Sequence, residues 1–311
     1  MKKLLIHIGY HKTGTTWLQH ELFGNPEMDY IQPIPFDDLI EAMVKPKSWN
    51  FDPIGCRIQF KDSISRALER DMIPVISAER LSGNPHSGGY DSKELASRIA
   101  SVFPQANILI VVREQCAMIF SCYKQYVRMG GSLSLRDYLI PPNDCRIPLF
   151  DFNHFEYHHL IGLYQKLLGA EQVLVLPYEM FLSDPHSFVQ RIRRHALSAE
   201  ESELEENLPF TSRINNSPLA WSILLQRFTN KIASRRDTLN QGAFIRSPRL
   251  AKHLERLCGH AGYLLQLWSG DRLEKRMRQF VFDMVAERYC ISNRKLAGQC
   301  NLPLSNYGYQ M

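Results

Sequence analysis

The segment Leu4–Leu18, reading Leu-Leu-Ile-His-Ile-Gly-Tyr-His-Lys-Thr-Gly-Thr-Thr-Trp-Leu, limits what this chain can fold into more than any other stretch. Residues 4–8 form a short apolar run of the length and character of a buried strand near the middle of a parallel sheet. Gly9 and Gly14 then bracket a six-residue turn, and Thr15 opens a helical pattern through Trp17, Leu18 and Leu22 that stops at Gly24. A strand, a glycine-bounded loop and a helix N-terminus together make an anion cradle. Backbone N–H groups point inward and the helix dipole adds partial positive charge, so a phosphate is held without a dedicated side chain.

The loop keeps the glycine spacing of the Walker A motif but not its lysine. Thr15 follows Gly14, and the lysine sits earlier, at Lys12. An ATP-type loop needs its lysine after the second glycine to reach the β/γ-phosphates, so Lys12 is placed to neutralise a different bridging oxygen. Lys12-Thr13-Gly14-Thr15-Thr16-Trp17 resembles the 5′-phosphosulfate loop of sulfotransferases that use 3′-phosphoadenosine 5′-phosphosulfate (PAPS). That loop reads Pro-Lys-[Ser/Thr]-Gly-Thr-Thr-[Trp/Leu], and here His11 stands where many members carry proline. The preceding His7-Ile8-Gly9 is similar to the bacterial branch of the family. The resemblance implies a P-loop-like three-layer α/β fold with PAPS as co-substrate, 3′-phosphoadenosine 5′-phosphate (PAP) as product and no required metal.

The rest of the chain supports an α/β reading independently. Apolar runs at 73–77, 108–112 and 173–176 read as strands, and a short strand fits 28–32. Helical patterns fall at 36–44, 63–70, 92–103, 118–129, 133–140 and 152–168, and Asp184-Pro185 opens a basic helix through Arg194. Asp91 with Glu94 reads as a capping box, whereas residues 45–62 look like an irregular connection. Strands alternating with helices predict a central parallel sheet covered on both faces, followed by a mostly helical C-terminal part beyond about residue 210. No linker-like composition divides the chain, so residues 1–311 are expected to be a single domain.

Ligands of open parallel sheets bind beyond the carboxyl ends of the strands. The run 108–112 ends on Arg113, with Ser121 two helical turns further on. In the sulfotransferases an arginine and a serine at this spacing hold the 3′-phosphate, a role suited to a guanidinium fork plus a hydroxyl. A Walker B strand would deliver an acid there for Mg²⁺, which argues against an ATPase. The loop after 73–77 carries Glu79, where the glycan and tyrosylprotein branches have a glutamate as catalytic base. The resemblance thus assigns Glu79 to the acceptor's proton and Lys12 to the leaving oxygen, with His11 and His86 as substitute bases. Tyr178, in a Tyr-Glu pair after the 173–176 strand, and Trp17 are expected beside the nucleotide.

Other resemblances are looser: Ser212–Ser217, and the tail 291–309, where Arg294-Lys295 lacks the glycine of the family's Arg-Lys-Gly loop. His154 and His158 lie four apart, a zinc-compatible spacing without a third ligand nearby. The formal net charge of +5 suits an enzyme handling anionic nucleotides or acidic glycans and is too dispersed for nucleic-acid binding. No apolar run approaches a membrane span, the Met1-Lys2-Lys3 start flows into strand instead of an export signal, and the seven cysteines form no paired framework. These features predict a cytoplasmic protein without a membrane span.

The acceptor is expected to be a hydroxyl, less readily an amine, of a carbohydrate, lipid or small molecule. Its selection is expected in the segments 45–62, 84–90, 130–150 and 235–250; oligomeric state is open. A P-loop kinase or NTPase and a non-catalytic nucleotide-binding protein remain as alternatives, the first predicting Mg²⁺-dependent ATP binding and the second no dependence on Glu79.

Overall fold

A computed structural model describes residues 2–142, 147–197, 217–234 and 242–311. The chain begins with β1 (Leu5–His7), α1 (Thr15–Trp17, widening into a π turn to Leu22), β2 (Tyr30–Ile31) and α2 (Phe36–Leu39, continued by a π turn to Val44). There follow α3 (Pro53–Glu69), β3 (Ile73–Ser77), α4 (Ser92–Val102), β4 (Asn107–Val112), α5 (Gln115–Arg128), α6 (Leu135–Leu139) and α7 (His158–Leu168). β5 (Val173–Pro177), α8 (Tyr178–Ser183) and α9 (Pro185–Leu197) complete the sheet region. The C-terminal part comprises α10 (Ala220–Ile232), the two-residue strands β6 (Ala233–Ser234) and β7 (Ile245–Arg246), α11 (Pro248–Ser269), α12 (Arg272–Val285) and α13 (Cys290–Cys300).

The central sheet has five strands in the order β2-β3-β1-β4-β5, all parallel. The strand reading of 4–8 therefore lands at the centre of the sheet, where both faces must be apolar. Alternate residues divide between two cores. Ile6, Ile76, Ile108, Ile110 and Val112 face one layer of helices, which includes α4, α5 and α7. Leu5, Val75, Leu109, Val111 and Leu176 face the other, with Trp17, Leu18 and the α9 residues Phe188, Val189 and Ile192. This is a three-layer α/β fold, and the period-two split of continuous apolar runs is what fixes it. The connection from β1 leaves toward β2 and that from β4 toward β5, so a crevice opens between the carboxyl ends of β1 and β4.

Two local readings are overturned. Residues 53–62 are not an irregular connection: Pro53 sits at the first helical position and Asp52 caps it, accepting from the Ile54 N–H at 3.0 Å. The low apolar content of this exposed helix concealed its period. Asp91 occupies the N-cap position of α4, but its carboxylate does not cap; it pairs with Arg80, while Glu94 pairs with Arg98 and accepts from Ser48. Tertiary partners outcompeted the capping box. The short β6–β7 pair was also not foreseen within the helical C-terminal part.

Candidate active site

The loop after β1 is a strained turn held from within. Lys12 and Gly14 both have positive φ, 67° and 83°. A Cβ on Gly14 would lie 3.1 Å from Cε2 of Tyr178, so both the conformation and the neighbour demand glycine. Thr13 is buried and donates its hydroxyl to the Tyr10 carbonyl at 2.6 Å, bracing the turn. At the end of β1 the fully buried His7 lies with Nδ1 2.8 Å from Ser77 Oγ, and burial depresses its pKa to about 3, keeping the ring neutral under the loop. The Thr15 hydroxyl is buried at the start of α1 with no hydrogen-bond partner among the described residues. An anion oxygen in the cradle would meet that need.

Beyond the loop lies a cleft of about 610 Å³. Its walls include Lys12, Gly14, Thr15, Thr16 and Trp17 from the loop and α1, Glu79 after β3, Arg113 at the end of β4, Ser121 on α5 and Tyr178 at the start of α8. Of Lys12, Thr13, Gly14, Thr15, Thr16, Trp17, Glu79, Arg113, Ser121 and Tyr178, all but the inward-facing Thr13 line this cleft. Arg113 spans the β1–β4 crevice: its Nη1 donates to the Lys12 carbonyl at 2.9 Å and its guanidinium lies 4.9 Å from the Tyr178 ring centroid. Trp17 packs against Phe181 with ring centroids 4.6 Å apart, forming an aromatic wall.

Glu79 is the single carboxylate among the described residues lining the cleft. Burial raises its pKa above the ordinary glutamate value, and hydrogen bonding to its own backbone and the nearby Lys12 ammonium pull the other way. The Lys12 ammonium is in turn lowered, first by burial, with Arg128 and Arg113 acting in the same direction and Glu79 against it. The cleft therefore holds a partly desolvated carboxylate and a partly desolvated ammonium whose charges reach each other.

Supporting contacts fix the β4 end. Glu114 accepts from the Cys116 and Ala117 N–H groups, both at 2.8 Å, and so caps α5 instead of facing the cleft. Glu179 accepts from the Glu114 N–H at 3.0 Å and from the Tyr309 hydroxyl at 3.2 Å, so the Tyr178-Glu179 pair sends its ring into the cleft and its carboxylate behind Arg113. Tyr157 donates to the Arg113 carbonyl at 2.7 Å.

Sequence reasoning missed the helical side of the cleft: Phe120, Lys124, Gln125 and Arg128 on α5, Phe181 on α8 and Arg278 on α12. Lys124 and Arg128 follow Ser121 at three and seven residues, one helix face, and that period was available. Arg278 carried no local signal. Lys124 is buried and donates to Pro218 O at 2.9 Å, Ser217 Oγ at 3.2 Å and Glu274 Oε2 at 3.1 Å, and Glu274 also accepts from Arg278 at 2.7 Å.

Other expectations fall elsewhere. His86 is buried with Nδ1 2.9 Å from the Tyr138 hydroxyl, His11 has both ring nitrogens buried without a partner among the described residues, and neither lines the cleft. Residues 212–216 lie outside the described residues, while Ser217 lines the cleft. Arg294 and Lys295 are exposed on α13, away from it. His154 and His158 do not share a helix: His154 lies in the turn Phe152–Phe155 and His158 begins α7. His158 has Nδ1 2.8 Å from Ser292 Oγ and His159 pairs with Glu156 at 3.2 Å, and the ligand atoms of Glu156, His158 and His159 lie within 4.8 Å of one another.

Residues 92–197 match the model of the sulfotransferase family. Among solved structures, a sulfotransferase from Alicyclobacillus acidocaldarius is similar at 22% identity over 67% of this chain and 88% of that one, with a TM-score of 0.45. No curated protein matches the chain. The family match covers β4, Arg113 and Ser121 as well as β5 and Tyr178. The similarity to the sulfotransferase family thus lies in residues 92–197, which include the β4 wall of the cleft.

Proposed function

We propose that residues 1–311 work as one unit that transfers the sulfuryl group of PAPS to a hydroxyl acceptor, releasing PAP. The observation that carries this reading is Arg113: it ends β4 within the family match, reaches across the crevice to the Lys12 carbonyl, and faces the same cleft as Lys12, Ser121 and Glu79. In this reading the loop N–H groups and Thr15–Thr16 hold the 5′-phosphosulfate, and Arg113 with Ser121 takes the 3′-phosphate. The Trp17–Phe181 wall receives the adenine. Glu79 accepts the acceptor's hydroxyl proton as its oxygen forms the new O–S bond. The bond from sulfur to the bridging oxygen breaks, its electron pair stays with PAP, and the Lys12 ammonium stabilises that oxygen.

Raised Glu79 and lowered Lys12 pKa values suit these roles, one as a base of useful strength and one as a cation close to the reacting oxygen. Glu114, next to Arg113 at the β4 end, directs its carboxylate to the Cys116 and Ala117 N–H groups instead of to the cleft. Thermal unfolding with PAP and, separately, with Mg·ATP tests the donor. A ligand at a hundred times its Kd stabilises by about 2.7 kcal/mol. Stabilisation by PAP in the presence of EDTA, lost in Arg113→Ala, is expected; stabilisation by Mg·ATP alone overturns the reading in favour of a kinase.

A further inference from the structure

We propose that Glu156, His158 and His159 bind one divalent ion of the zinc class, a clip that fixes the segment carrying Tyr157. None of the three lines the cleft, and the inference does not depend on the donor reading.

Glu156 and His159 share one backbone turn. The His159 N–H donates to the Glu156 carbonyl at 3.1 Å, and the ring Nε2 lies 3.2 Å from Glu156 Oε2. Zinc bonds of about 2.0–2.2 Å to nitrogen and oxygen set tetrahedral ligand atoms roughly 3.3–3.6 Å apart, so this pair stands near ligand spacing. His158 stacks on His159 with ring centroids 3.9 Å apart, and one ligand atom from each of the three residues falls within 4.8 Å of the others. The His159 side chain is 69% exposed, so its ring can turn inward without disturbing the core, and solvent gives the ion an entry path.

The group has an outer partner as well. His158 Nδ1 lies 2.8 Å from the hydroxyl of Ser292, a buried residue of α13. With its Nδ1–H donated there, the ring is oriented and Nε2 carries the lone pair for the ion, as a metal-binding histidine requires. Two imidazoles and one carboxylate suit a borderline ion such as Zn²⁺; Mg²⁺ and Ca²⁺ call for oxygen ligands throughout. Water would complete the coordination.

The position of Tyr157 gives the clip its consequence. Tyr157 sits between two of the ligands, is fully buried, packs edge-on against Tyr10 with centroids 4.7 Å apart, and donates to the Arg113 carbonyl at 2.7 Å. An ion held on both sides of Tyr157 restrains the residue that braces the β1 loop and the end of β4. Through Ser292 it also ties the start of α7 to α13, whose Asn293 accepts from Gln115 of α5 at 2.6 Å.

The test is calorimetric titration of Zn²⁺ into full-length protein stripped with EDTA and then freed of the chelator. One ion per chain is expected, with Mg²⁺ in large excess failing to compete. His158→Ala and His159→Ala are each expected to abolish this binding, and Ser292→Ala to weaken it about 10–100-fold. His253→Ala, at an exposed histidine on α11, is expected to leave it unchanged. Saturating Zn²⁺ should raise the unfolding midpoint of wild type by a few degrees and leave that of His159→Ala unmoved. In EDTA the two proteins should unfold nearly together, which shows that the exposed substitution spares the fold. No binding to wild type overturns the proposal, as does binding that persists in His159→Ala or is displaced by Mg²⁺.

Discussion

The two walls of the cleft are built in opposite ways. The sheet wall, with Lys12, Glu79 and Arg113, hangs on the carboxyl ends of β1, β3 and β4, which lie side by side at the centre of the sheet. Its side chains are placed by backbone pairing and by contacts such as Arg113 to the Lys12 carbonyl. The helical wall, with Lys124, Arg128 and Arg278, is assembled from α5 and α12, held by the Lys124–Glu274–Arg278 cluster between segments 150 residues apart in sequence. A wall built on strand ends has little freedom to move and suits chemistry that must be positioned. A wall closed by side-chain ion pairs can vary without disturbing the sheet, and suits selection of substrate.

That contrast is best broken by testing where chemistry resides. Glu79→Gln keeps the shape and removes the proposed base, so kcat is expected to fall by about 10²–10⁴-fold with PAP affinity unchanged, measured by single-turnover assays. The wild-type pH profile follows from the two shifted groups. With the proposed roles, activity is expected to rise as pH climbs through the elevated Glu79 pKa and to fall as Lys12 deprotonates below the ordinary lysine value. Glu79→Gln is expected to erase the acidic limb alone. An intact limb in that variant moves the base elsewhere, with His11 the neighbour to examine.

Arg113→Ala sharpens the comparison on the donor side. Charge-assisted hydrogen bonds contribute about 1.5–3 kcal/mol, so PAP affinity is expected to drop some ten- to hundredfold by calorimetry. Arg113→Lys should recover little of it, because an ammonium cannot reproduce the guanidinium fork. Glu274→Ala is the matched cut in the helical wall. It strands the buried Lys124 ammonium, so a loss of about 2 kcal/mol in urea unfolding is expected, with PAP affinity changed less than threefold. A PAP defect as large as that of Arg113→Ala would make α12 part of the donor site and dissolve the distinction. At the small end, His159→Ala removes an exposed pair and should shift stability by less than about 0.5 kcal/mol.

What could be read locally was read well where a residue's neighbours in sequence are also its neighbours in space. Gly14 is the plainest case: its loop, its positive φ and the start of α1 belong to one continuous segment. The strand 108–112 and its terminal Arg113 are another, since a continuous apolar run that stops on a charge marks the strand's exit from the core. The reading failed where a competing partner lay elsewhere. Asp91 and Glu94 had the capping-box spacing, but Arg80 and Arg98 took their carboxylates. Residues 53–62 lacked apolar periodicity because that helix is mostly exposed, and the Asp52-Pro53 cap that opens it went unread.

The strand–loop–helix cradle, the alternation that builds a two-sided parallel sheet, and the charged residues at three strand ends are all legible along the chain. Those are properties of short segments, set by chirality, backbone hydrogen bonding and period. Long-range packing makes Thr13 brace the loop instead of facing the cleft, parts Tyr178 and Glu179 in opposite directions, and brings Arg278 of α12 to a cleft that begins at residue 12. Each of these depends on which distant group satisfies a charge or a polar atom first, and that competition is settled by packing in three dimensions.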